Sequence, residues 1–135
     1  MKSINLTLTA LAALAGAAGV LLAAAGAHVN ADPRLQTASH ILLPHAVAAL
    51  GFVAHSRASP SPRGFTAATG LLLLGAGLFA ADMTLRAVWG VHLIPYLAPT
   101  GGLLMVAGWL VGVAAATSAA MAPRAPLPPE REIEI

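Results

Sequence analysis

Formal charge is missing from four long stretches of this chain: Ser3–Ala27, which ends at the first histidine, then Leu35–Ser56, Gly64–Ala81 and Ala87–Pro123. A helix needs about 20 predominantly apolar residues to cross a hydrocarbon core about 30 Å thick. The first three stretches each match one crossing, and the fourth holds one crossing plus a long apolar approach. With 58% hydrophobic and 9% charged residues, the chain cannot build a water-facing surface at the usual charged fraction of about 25%. A lipid-facing surface suits it. The expected fold is all-α, a polytopic membrane protein with four transmembrane helices in one compact bundle. The spans are expected at about 4–27, 33–55, 65–85 and 101–121, with an interfacial segment at 86–99 and a Pro-rich cytoplasmic tail at 122–135.

Lys2, an apolar run and the small residues Ala23-Ala24-Ala25-Gly26-Ala27 together imitate a secretory signal and its cleavage site. The apolar part exceeds the roughly 7–15 residues of a signal core, and the later spans need no cleaved leader. The first span is therefore expected to be retained. No cysteine is present, so disulfides, thiolate metal sites and thiol nucleophiles are excluded. A net charge of +2 on so few charges, with no basic patch and no interleaved aromatics, gives no footprint for nucleic acid.

In span 1 the small residues Ala15, Gly19, Ala23 and Ala27 recur every four positions, a stripe that lets helix backbones approach closely in lipid. Asp32-Pro33 reads as an N-cap followed by proline at the first helical position, where its missing N–H is harmless. Pro44 falls inside span 2, frees the carbonyl of His40 and bends the helix. Span 3 carries Gly70, Gly75 and Gly77, then Asp82, with Arg86 four residues on in the orientation that favours an ion pair. Arg86, Trp89, His92 and Tyr96 follow at spacings of three to four, broken by Gly90 and Pro95, which suits a segment lying along the membrane surface. Thr100 is a candidate cap for span 4, in which Gly108 and Gly112, extended by Ala116, form a second close-packing face.

Lys2, Arg57, Arg63, Arg124 and Arg131 lie on one side of four crossings, and Arg34 and Arg86 on the other. The positive-inside rule then places both termini and the central loop in the cytoplasm of a bacterial inner (plasma) membrane.

Three groups of residues together resemble a known family: Gly26-Ala27-His28, then His45-Ala46-Val47-Ala48-Ala49-Leu50, then Pro99-Thr100-Gly101-Gly102 with Gly108-Trp109-Leu110. The resemblance is to the YgdD-like family of small bacterial inner-membrane proteins, a domain-of-unknown-function class with mitochondrial relatives, and it spans about Gly26 to Ala116. It implies a four-span bundle and no established chemistry. Ser39–Pro44 and Ala98 depart from the family pattern.

An ionisable side chain in the membrane is costly and marks a functional candidate. At 1.5 Å per residue, His40 lies about 10 Å below the start of span 2 and His45 about 18 Å, while Asp82 lies about 5 Å from the same face. Depth thus makes His40 a plausible partner for Asp82. With His28 and His92 at that face, a cluster for a divalent metal or a proton relay is conceivable, although plain structural hydrogen bonding is the stronger expectation. His45 is expected to bond a backbone carbonyl or hydroxyl on a neighbouring span, with Arg86 as a second structural polar residue. Haem ligation would need a second histidine at the depth of His45, and Ser39 beside His40 is not a catalytic pair, because neighbours on a helix do not face each other. No catalytic residue, cofactor or enzymatic activity is expected. The leading expectation is an accessory or assembly subunit that meets lipid and a membrane-protein partner, or further copies of itself, through its small-residue faces and tail. The alternative is a small carrier or proton-coupled or metal-binding element built on His28, His40, Asp82 and His92.

Overall fold

The computed structural model describes residues 2–91 and 95–122. Among them are four helices: α1 (Lys2–His28), α2 (Pro33–Ser56), α3 (Pro62–Trp89) and α4 (Leu97–Met121). Each is long and apolar enough to cross a membrane, and the expected all-α four-span bundle is what forms. His92 and the expected tail beyond Ala122 lie outside the described residues. The near end of the bundle holds the start of α1 and the α2–α3 turn, and the far end holds the α1–α2 turn.

Local chemistry sets the helix ends. Asp32 caps α2, its Oδ1 accepting the Arg34 backbone N–H at 2.8 Å, with Pro33 at the first helical position. Pro44 stays inside an unbroken α2. Two expectations are corrected at the far end. α3 runs on through Arg86 to Trp89 and stops at Gly90, whose left-handed backbone (φ 65°) closes the helix with a bond to the Arg86 carbonyl, a turn that glycine makes without Cβ strain. α4 starts at Leu97, so the surface segment expected over 86–99 shrinks to the short connection after Gly90. Tyr96, not Thr100, holds the N-cap position of α4, and Pro99 falls in the first turn, where no intrahelical donor is required.

The helices pack in chain order, with seams between α1 and α2, α2 and α3, and α3 and α4, and a light contact between α1 and α3. Ala38, Leu42, Ala76, Ala80 and Met105 form the central cluster. On α1 the seam follows the buried Asn5, Ala12 and Gly19 and the half-buried Gly26, seven residues apart; a Cβ on Gly19 would strike Leu43 at 2.8 Å. Asn5 Nδ2 donates to Ser56 Oγ at 3.2 Å and pins this seam at the near end. Of the stripe expected on this helix, Gly19 is buried, Ala15 packs half-buried against the central cluster, Ala23 is half-buried and Ala27 is exposed, because a seven-residue repeat holds a straight seam whereas a strict four-residue repeat drifts around the helix.

The tightest approach joins α3 to α4. A Cβ on Gly75 would lie 2.6 Å from the Gly101 carbonyl oxygen, and one on Gly101 equally close to that of Gly75. Gly108 closes on Leu72, and Gly112 on the Phe52 ring of α2. Ala115 is buried and Ala116 is exposed, so the last member of the expected α4 face is corrected by one residue. Gly19, Gly108 and Gly112, expected to meet a partner, are occupied by the chain's own helices.

Candidate functional site

Among the described residues, three places are candidates: a charged pair, a histidine contact and an open apolar groove. At the far end, Asp82 is 2% exposed and its Oδ2 lies 2.6 Å from Arg86 Nη2, the expected i,i+4 ion pair. The contact is one of charge: neither Asp82 Oδ2 nor the buried Arg86 Nε has a hydrogen-bond partner among the described residues. The same turn of α3 is tied to the α1–α2 connection. Arg34 Nη1 donates to the Arg86 carbonyl at 3.3 Å, and Asn30 Nδ2 donates to the Ala87 carbonyl at 3.1 Å. The Asn30 bond occupies a carbonyl that the helix C-terminus leaves free, the Arg34 bond adds a second donor to the carbonyl that the Gly90 N–H already holds, and Arg34 places positive charge at the negative end of the α3 dipole.

The histidines do not join this pair. His40 and His28 are exposed, each on the surface of its own helix. Among the described residues, no three His, Asp or Glu side chains gather where one cation could reach them. The expected partnership of His40 with Asp82 is thus corrected. Depth fixes the level of a side chain but not its direction around the helix, and α2 turns Ala38, Ser39 and Leu42 inward while His40 points out. The carrier reading loses the geometry on which it rested.

Near the bundle's middle, His45 Nδ1 lies 2.7 Å from the Ile41 carbonyl, and Trp109 Nε1–H on α4 donates to His45 Nε2 at 3.4 Å. A carbonyl can only accept and an indole N–H can only donate, so the network assigns the proton to Nδ1. The expected carbonyl partner is present, on the same helix rather than a neighbouring one. The indole was not foreseen. Trp109 lies edge-on to both His45 and Phe52, with ring centroids 6.2 and 5.7 Å away.

The third feature is an open apolar groove between α1 and α3, about 650 Å³ in volume, with Leu14, Ala18 and Leu22 on one wall, Gly77 and Ala81 on the other and Leu42 on the floor. A smaller hollow of about 290 Å³ continues it toward the near end past Ala15 to Gly70. A Cβ on Gly70 or Gly77 would meet nothing within 4 Å. The glycines of α3 are visible in the sequence, but their division is not. Residues two apart on a helix point to nearly opposite sides, so Gly75 enters the α4 seam while Gly77 faces the groove.

A family model described as a protein of unknown function, DUF423, matches residues 22–102. The chain belongs to the DUF423 family. The matched DUF423 segment runs from the last two turns of α1 to the second turn of α4, and it includes the α1–α2 turn, His45, Asp82, Arg86 and the Gly75–Gly101 approach. Trp109 and Gly112 lie beyond it. No curated protein and no solved structure matches the chain, so the function of this DUF423 member is argued from its own residues.

Proposed function

We propose that the chain is a non-catalytic subunit of a bacterial plasma membrane, both termini cytoplasmic, that seats a transmembrane helix of a partner protein in the α1/α3 groove. The observation that carries this reading is the pair of glycines on the groove's α3 side. Glycine inside a helix costs about 1 kcal/mol relative to alanine. Gly19, Gly75, Gly101, Gly108 and Gly112 each have a neighbour that a Cβ would strike. Gly51, Gly70, Gly77 and Gly102 have none among the described residues; of these, Gly70 and Gly77, seven residues apart on one face of α3, are the two that line the groove and its continuation. Acyl chains adapt to a methyl group, whereas a helix that packs backbone to backbone requires its absence. α1 also offers surface: only 11% of its most apolar stretch is buried, against 39% for α3. The excess of Lys and Arg at the near end supports its cytoplasmic placement.

Because the chain has no cysteine, Ala81→Cys or Leu14→Cys, on the two walls of the groove, introduces a single thiol for crosslinking in native membranes. A discrete adduct at both positions is expected, and its mass separates a different protein from a second copy. The double variant Gly70→Leu/Gly77→Leu should lose the adduct and migrate alone in mild detergent with its folded fraction unchanged. A wild-type chain that migrates as a lone monomer, with no adduct at either position, overturns the proposal.

A further inference from the structure

The turn Ile41–His45 of α2 faces two ways. Leu42 forms the floor of the α1/α3 groove, while His45, three residues on, reaches Trp109 of α4 on the other side of the bundle. Pro44 lies in this turn and has no N–H to give the His40 carbonyl, so the helix is weakest here. α2 and α4 share no extended seam; they meet through side chains, His45 and Phe52 from α2 with Trp109 and Gly112 from α4.

One imidazole makes both bonds, and its two nitrogens are not independent. While Nε2 accepts the Trp109 indole N–H, the ring's single proton must sit on Nδ1, where it is donated to the Ile41 carbonyl. If the proton moves to Nε2, Nδ1 has nothing to donate to the carbonyl and Nε2 presents an N–H to an N–H. Both contacts fail together.

We propose that Trp109 acts as a positioning residue for α2: its indole N–H selects the Nδ1–H tautomer of His45, that tautomer holds the Ile41 carbonyl, and the helix geometry so fixed at the proline turn sets the position of Leu42 beneath the groove. The inference deepens the groove reading and rests on it for its biological use, but the device belongs to the isolated chain and can be tested there. It places α4, which does not line the groove, in control of the groove's shape.

Nitrogen-15 spectra of histidine-labelled protein in lipid nanodiscs distinguish the two tautomers directly. The wild-type His45 signal is expected to show a protonated Nδ1 and an unprotonated Nε2. Trp109→Phe keeps a ring against Phe52 but removes the donor, and a population with the proton on Nε2 should appear. Spin labels on Arg34→Cys and Arg57→Cys, at the two ends of α2, should report a shifted distance distribution in the same variant. His45→Phe should give that shift too, and adding Trp109→Phe to it should change nothing more. An unchanged tautomer and an unchanged distance in folded Trp109→Phe overturn the proposal, since a residue that merely fills space moves neither. The absence of any groove partner would sink the functional reading while leaving these spectra as they are.

Discussion

Asp82 and Arg86 differ in how much each depends on the other. Asp82 is 2% exposed, and the Arg86 side chain is 22% exposed at the end of a span, where a long side chain can lift its charge toward the interface. Removing one partner of a buried pair costs about 3–5 kcal/mol, chiefly because the other charge is left uncompensated. Arg86→Ala strands the more deeply buried group, so it should be the more damaging change, near the upper end of that range. Asp82→Ala leaves a cation that can reorient and should fall near the lower end. The double variant Asp82→Ala/Arg86→Ala should be less unstable than Arg86→Ala alone. Unfolding in mixed micelles, analysed as a double-mutant cycle, gives the three values, and equal losses for the two single variants would refute the asymmetry.

Between neighbouring helices the same substitution should have opposite signs at positions two residues apart. Gly75→Ala puts a methyl group against the Gly101 carbonyl and the Met105 amide; backbone cannot move aside as a side chain can, and overpacking of this kind costs about 1–3 kcal/mol. Gly101→Ala should match it. Gly77→Ala meets open space and should stabilise the isolated chain by about 0.5–1 kcal/mol through helix propensity alone. Thermal or denaturant unfolding in detergent reads all three. The pattern also marks where sequence reasoning stops. The uncharged runs disclose that there are four spans, and Asp32-Pro33 and Asp82/Arg86 disclose a cap and an ion pair, because each is decided within a few residues of chain. Whether Gly75 or Gly77 faces α4, and whether His40 or Ser39 faces the core, depends on which neighbour each helix receives. That is decided by residues far away in sequence, Gly101 for the glycines and Ala76 and Ala80 for α2. The Trp109–His45 bond, 64 positions apart, has no local trace for the same reason.

For the molecule as a whole, the two ends differ in charge, and that difference predicts how the bundle sits in the membrane. Among the described residues the near end carries Lys2, Arg57 and Arg63, and the far end carries Arg34 and Arg86, each of which has an acidic neighbour in Asp32 and Asp82. The positive-inside bias counts Lys and Arg in short loops and is little altered by carboxylates, so the neutralising acids at the far end do not weaken the preference. The Ser/Pro-rich α2–α3 turn should face the cytoplasm and the α1–α2 turn the opposite side. In a chain without cysteine, Ala31→Cys and Ala58→Cys each provide one thiol in an exposed turn. A membrane-impermeant thiol reagent applied to intact bacteria should label Ala31→Cys at once and Ala58→Cys only after permeabilisation. The reverse order would invert the bundle, and labelling of both in intact cells would mean that it inserts both ways. Arg57→Gln/Arg63→Gln removes the two cations of the central turn and should raise early labelling at Ala58→Cys; no change would assign the orientation to Lys2 and the C-terminal cations Arg124 and Arg131.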